Sequence, residues 1–296
     1  MPASTRIVVI GDVIDDIMVV PKVAVRHDTD TTATIRHRAG GSAANTAVWL
    51  GTLRGGVDFI GRVGASDIQR HAQNFINAGV DAWLTRDPTE PTGTIVIIVD
   101  GDERTMLTER GANSNLDVAV VTDDMLESAA ILHLTGYSVI DCRDPAALRG
   151  LIDRAIAQGV LVSIDPGSAG YIADFGVKKF LAAVAGASII FPNLDEGRLL
   201  SGETEPAAVT DALAALFPVV AVTLGPDGVM LAQPGIRAQP IAALKSKIVD
   251  PTGAGDAFAA GFLGSYSRDR NAQTAAKAGV RTAARALSVI GGRPLV

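Results

Sequence analysis

The sequence predicts an α/β protein: a mainly parallel sheet covered on both faces by helices, with a small β-sheet flap at one rim. Three observations lead there. Short β-branched apolar runs alternate with longer stretches whose apolar residues recur at helical spacing. The last third closes in two Ala-rich helical patterns. Two stretches, Val13–Arg38 and Thr92–Leu107, break the rhythm, the second alternating like a hairpin through Asp100-Gly101-Asp102.

In chain order, Ile7–Ile10 reads as a first strand because its apolar run stops at Gly11-Asp12. Further strands are predicted at Val57–Val63, Ile131–Thr135, Val160–Ile164, Ser188–Phe191, Val219–Leu224 and Val229–Ala232. Helical spacing marks Ala43–Leu53, Ile68–Ala78, Asp144–Gln158, Asp195–Ser201 and Ala207–Leu216, then Asp256–Tyr266 and Ala272–Val289. Strand followed by helix, repeated, favours parallel pairing with helices on both faces. Inserts at about 13–38 and 92–110 supply the flap. No repeat, Pro-rich linker or low-complexity block marks off a second unit, so residues 1–296 are expected to form one domain. Ligands of open parallel sheets bind beyond the C-terminal strand ends, where a flap that closes would exclude water.

The chain is 48% hydrophobic and 20% charged with a net charge of −6, and it lacks the basic excess of a nucleic-acid binder. No apolar run nears the roughly 18–20 residues needed to cross a bilayer. The N-terminal apolar run is too short for a signal peptide, and Cys142 is the single cysteine. A disulfide framework is thereby excluded and the cytoplasm is the expected compartment.

The chemistry concentrates in Asp250-Pro-Thr-Gly-Ala-Gly-Asp256, which runs straight into a helical pattern. Small side chains at Gly253, Ala254 and Gly255 let an anion approach the N–H groups of a helix N-terminus, where the dipole favours negative charge. A bound phosphate would repel an acidic residue there unless that residue's task is to take a proton. Asp256 is therefore a candidate general base, worth on the order of 10²–10⁴ in rate. Taken alone, the same run is also read as a helix cap and a tight turn. The dinucleotide fingerprint fails, with Phe258 at its third glycine position, and no Gly-Lys-Ser/Thr phosphate loop occurs.

Other motifs are individually weaker. In Ala39-Gly40-Gly41-Ser-Ala-Ala-Asn45, the glycines permit close backbone approach and Asn45 offers both a donor and an acceptor, or else Ser42 simply caps a helix. Asn193-Leu-Asp-Glu196 suits a Mg²⁺ that keeps most of its water, or a capping box. Thr223-Leu-Gly225-Pro-Asp-Gly228 ends a strand and alone reads as a hairpin turn.

Asp250–Asp256 resembles the Asp-Thr-x-Gly-Ala-Gly-Asp signature of the PfkB family of ribokinase-like carbohydrate kinases, with Pro251 replacing the usual Thr. The Gly40-Gly41-x-x-x-Asn45, Asn193-x-x-Glu196 and Thr223-x-Gly225-x-x-Gly228 elements resemble that family's in the same order, across residues 11 to 292. The resemblance implies a three-layer αβα sandwich with a β-sheet lid, and transfer of the γ-phosphoryl of ATP to a hydroxyl of a sugar or sugar-like molecule. It implies Asp256 as base, with Gly253, Ala254 and Gly255 as the anion hole. Gly40, Gly41 and Asn45 would contact the sugar, together with Asp16 or, second, Asp12. Asn193 and Glu196 would arrange Mg²⁺, and Thr223, Gly225 and Gly228 would hold the nucleotide. Asp250 and Thr252, beside Gly291-Gly292, would border a monovalent-cation site for potassium. Flaps that pair between subunits imply a homodimer.

Ile14, Ser42 and Thr135 stand where the ribokinase pattern has Asn, Lys and Glu, which disfavours ribose. Arg104 and Arg110, in or beside the flap, could meet an acidic or phosphorylated sugar. Two rival readings remain: a nucleoside kinase of the same superfamily, with Trp83 its aromatic candidate, and a non-catalytic sugar sensor.

Overall fold

The computed structural model describes residues 5–100 and 103–294, and the hairpin tip at Gly101-Asp102 lies outside the described residues. The strands are β1 (Arg6–Ile10), β2 (Ile14–Pro21), β3 (Ala33–Gly40), β4 (Val57–Gly64), β5 (Asp81–Asp87), β6 (Gly93–Asp100), β7 (Glu103–Glu109), β8 (Ala129–Thr135), β9 (Leu161–Asp165), β10 (Ile189–Ile190), β11 (Val219–Thr223), β12 (Val229–Gln233) and β13 (Ile236–Ile241). The helices are α1 (Ser42–Arg54), α2 (Ile68–Asn77), α3 (Asp123–Glu127), α4 (Gly136–Ile140), α5 (Pro145–Ala157), α6 (Ala169–Phe175), α7 (Val177–Ala183), α8 (Leu194–Ser201), α9 (Pro206–Leu213), α10 (Ala254–Asp269) and α11 (Ala272–Ala286).

Nine strands form one sheet in the order β13-β12-β11-β10-β9-β8-β1-β4-β5. Pairing is parallel from β11 across to β5, and β12 and β13 extend it as an antiparallel hairpin. The period of two along β1 sorts its side chains: Ile7 and Val9 join one core, Val8 and Ile10 the other. The first core is shared with α1, α2, α10 and α11, the second with α3 to α9. This is the expected three-layer arrangement, with apolar runs buried on both faces.

Several elements depart from expectation. The edge strands β5 and β13 were not anticipated: β5 alternates between exposed and half-buried residues, and β13 carries Pro240, which only an edge tolerates. Helices α3, α4, α6 and α7 have five to seven residues, too few to display a helical period. The predicted strand over Ser188–Phe191 contracts to β10, because Pro192 has no N–H to give the ladder. A single parallel bridge then sets Asn193 beside Thr223.

The two inserts form a separate four-stranded sheet in the order β3-β2-β6-β7. Asp16 of β2 pairs with Ile95 of β6, which pairs with Thr108 of β7, so the three side chains share one face of the sheet. All three line a cavity above the C-terminal ends of the large sheet.

Candidate active site

Five neighbouring strands bring a polar side chain to one edge of the sheet: Asp12 after β1, Thr135 ending β8, Asp165 ending β9, Asn193 after β10 and Thr223 ending β11. This is where an open parallel sheet leaves room for a ligand. Two helices complete the site with their N-termini, α1 from Gly40-Gly41 and α10 from Gly253.

Helix α1 starts on Gly41, which has no side chain with which to cap it. Asp12 serves instead. Its carboxylate accepts from the N–H of Ser42 (3.0 Å) and of Ala43 (3.2 Å) and from the Thr135 hydroxyl (3.4 Å). Caps of this kind contribute about 1 kcal/mol. With 3% exposure and these donors, Asp12 positions α1, and it also lines the first cavity. Ser42, the alternative cap, does not fill that role, and its hydroxyl donates to Asp256 Oδ1 at 2.8 Å. Asn45, one turn on, donates through Nδ2 to Asp256 Oδ2 at 2.9 Å.

Asp256 lies in the first turn of α10, and Phe258 and Phe262 anchor that helix by meeting Phe191 edge-on at 5.9 and 5.0 Å. Gly253 caps α10 at φ 74°, and a Cβ there would lie 2.5 Å from Gly292 Cα, so only glycine serves. The first intrahelical bond is Ala257 N–H to Gly253 O, so the amides of Gly255 and Asp256 point out of the helix with no carbonyl a turn behind them. The Ala254 amide turns back onto Pro251 O at 3.3 Å and is the weakest of the expected anion-hole donors. Burial pushes the Asp256 carboxyl up to about 6, against the downward pull of Asn45 and Ser42.

Asp16, expected to contact the sugar, lines the first cavity. It lies so close to Gly40 that a Cβ there would be 2.2 Å from its Oδ2. Burial pushes it up to about 7 against the pull of Arg293, and Asp12, Asp256 and Asp15 add repulsion. Arg293 was missed in the sequence. Its Nε donates to Asn45 Oδ1 at 3.0 Å, leaving Asn45 Nδ2 to face Asp256, and its Nη2 donates to Gly40 O. The signal was its place directly after Gly291-Gly292, which alone drew attention. Asp165 was also missed, being a lone acid at the end of an apolar strand.

Asn193 and Glu196 close a full capping box on α8, with Asn193 Oδ1 accepting from Glu196 N and Glu196 Oε2 from Asn193 N, both at 2.9 Å. Both also line the cavity with Asp165. Burial raises the carboxyls of Glu196 and Asp165, and the charge of Glu196 raises Asp165 further. Thr223, Gly225 and Gly228 line a second cavity of about 560 Å³, walled by Leu244, Ile248 and Leu287. It shares Thr223, Gly255 and Phe258 with the first, of about 400 Å³.

Of the two flap arginines, Arg110 lines the first cavity and Arg104 does not. Arg104 of β7 donates to Thr252 Oγ1 at 2.7 Å and to Asp250 Oδ1 at 3.0 Å. The other Asp250 oxygen accepts from Gly291 N at 2.9 Å. Burial pushes the Asp250 carboxyl up, but the Thr252 and Gly291 amides, with Arg104, outweigh it and hold it below its ordinary range. Arg110 pairs with Asp141 at 2.6 Å and lies 4.9 Å over the Tyr137 ring. Trp83 is half exposed on β5, bonded to Asp58 and away from the cavity.

A carboxylate at a helix N-terminus, free amides beside it and two joined cavities lie at the C-terminal edge of an α/β sheet. The chain matches the family model described as pfkB family carbohydrate kinase over residues 4–295. It belongs to that family. It is 27% identical to an uncharacterised sugar kinase of Archaeoglobus fulgidus, over 82% of this chain and 97% of the relative. It is 31% identical to the ATP-dependent ribose-1-phosphate kinase of Halopiger xanaduensis, over 81% of this chain and 77% of the relative. The crystal structure of adenosine kinase from Sinorhizobium meliloti superposes with a TM-score of 0.88 at 26% identity, covering 99% of this chain and 97% of the other.

Proposed function

We propose that this protein transfers the γ-phosphoryl group of ATP to a hydroxyl of a sugar or nucleoside, with Asp256 accepting the hydroxyl proton. The observation that carries this is the Asp256 carboxylate, held by Ser42 and Asn45 at the N-terminus of α10. The acceptor oxygen forms its bond to phosphorus as the bond to the β-phosphate oxygen breaks and ADP leaves. Asp16 and Asn45 orient the acceptor in the first cavity. The second cavity takes the nucleoside end of ATP, and the amides of Gly255 and Asp256 meet the transferred group, each worth about 3 kcal/mol at developing charge. The four-stranded sheet closes over the acceptor as a lid on a single domain.

Mg²⁺ fits Glu196, Asn193 and Asp165: burial raises both acids against the hydrogen bonds that Asn193 gives Glu196 and Gly167 gives Asp165, and a dication would favour their charged forms. Two carboxylates and one amide suit a Mg²⁺ that keeps much of its water and takes phosphate oxygens. When bound it spreads the phosphate charge; orientation and proton transfer remain with the protein. Potassium fits less well, because donors already occupy both Asp250 oxygens and one donor is the Arg104 guanidinium.

A nucleoside acceptor is favoured by Tyr137 and Tyr171, edge to face at 5.5 Å on the cavity wall. Leu107 and Ile35 are more than half exposed on the face of the small sheet away from the cavity, which supports a homodimer through the lid. No helix among the described residues is long and apolar enough to cross a membrane. We place the protein in the cytoplasm, where ATP is supplied. The test is ADP release over a panel of sugars, sugar phosphates and nucleosides, with Asp256→Asn alongside. Turnover with one class, lowered more than about 10²-fold in the variant while ATP binding persists, is expected. Saturable sugar binding without ADP release from any acceptor would instead identify a sensor.

A further inference from the structure

Away from the active site, α1, α10 and α11 leave a crevice of about 260 Å³ between them. Arg54 ends α1, Arg268 lies in the last turn of α10, and Arg281 and Arg285 stand one turn apart on α11. All four line the crevice, and no acidic residue does. None of the four forms an ion pair among the described residues. Helix-dipole attraction accounts for a cation at the end of each helix, but not for four of them converging on one opening. Arg281, in the body of α11, lies outside that account altogether.

Arg54 sharpens the point. Its Nη1 is buried without a hydrogen-bond partner, a costly state for a guanidinium nitrogen. Burial pulls its pKa below the arginine range, and the charges acting on it are two more arginines, Arg268 and Arg6. Gly261 lets α10 approach Ala278 and Thr282 of α11 closely, and Gly264 leaves place for the Arg54 stem, since a Cβ there would lie 3.3 Å from Arg54 Cδ. In a chain of net charge −6, four arginines without an ion-pair partner, of which Arg285 lies 5.7 Å over the Trp49 ring, are a local exception.

We propose that this crevice is a second binding site, for a small di- or polyphosphate anion held by Arg54, Arg268, Arg281 and Arg285. Planar guanidinium forks match phosphate oxygens in pairs, and several forks select an ion carrying several charges. Its volume falls below the range of drug-sized pockets, which suits a compact anion. Twelve residues of α10 separate Arg268 from Asp256, roughly 18 Å along the helix axis, so this site is distinct from the phosphoryl-transfer centre.

Calorimetry with inorganic pyrophosphate tests it, with the ATP site first saturated by a non-hydrolysable ATP analogue. One saturable site is expected, weakened at least about tenfold by Arg281→Gln and by Arg54→Gln, with basal turnover unchanged in both. Arg54→Gln is also expected to melt no lower than wild type at low salt, since it removes an unpaired buried charge. Binding equal in wild type and both variants, or heat reproduced by chloride at matched ionic strength, would overturn the proposal. So would an Arg54→Gln protein that melts lower while Arg281→Gln binds pyrophosphate as wild type does, for Arg54 would then be a packing residue.

Discussion

A carboxylate acts as a base only while ionised, and Asp256 is buried enough for that condition to matter within the ordinary pH range. Burial pushes it up to about 6, so kcat/KM is expected to fall as pH drops through about 6 and to level off above it. A pH–rate profile flat down to about 5 would remove Asp256 from the role. Asp16 gives the opposite signature in stability. Its folded pKa of about 7 lies above the unfolded aspartate value near 3.9, so its favourable contribution is complete below about 4 and lost as pH rises through about 7. Asp16→Asn is therefore expected to melt higher than wild type at pH 8, by about 2 °C or more, with the gain vanishing toward pH 4. The same variant should bind the acceptor more weakly, and thermal scans beside acceptor KM check both halves. Asp256 could be read from the sequence because seven consecutive residues carry its context. Arg293 could not, because Asn45, its partner, lies 248 residues away.

At the scale of elements, the site depends on how loops join. Arg104 ties β7 of the small sheet to the loop that opens α10. The guanidinium holds a fixed positive charge beside Asp250, so replacing K⁺ with choline is expected to change wild-type turnover less than about twofold. Arg104→Ala should lose about tenfold or more and recover in part with added guanidinium, whose planar fork matches the same oxygens. A strong K⁺ requirement in wild type would show that Asp250 holds an ion instead. Long periodic helices such as α5 were legible in the sequence, as were the apolar strands buried on both faces. Edge strand β5 was not, because half of its surface faces water and its pattern weakens accordingly.

For the whole molecule, the two sheets are linked at the cavity, and any closure must move β2, β3, β6 and β7 relative to the C-terminal strand ends. Amide hydrogen exchange in these four strands is expected to slow when acceptor and a non-hydrolysable ATP analogue are both present, and much less with the analogue alone. Equal protection without acceptor would mean that the small sheet does not close on it. Local patterns by themselves determined the layered α/β class, the helix N-terminus at Gly253 and the candidate base, because each depends on residues near one another in the chain. Tertiary structure alone decided that Asp12 caps α1, that Ser42 and Asn45 hold Asp256, and that Arg104 meets Asp250. Those contacts join residues 30 to 214 positions apart, and only packing of the sheet against α1 and α10 fixes which donor reaches which oxygen.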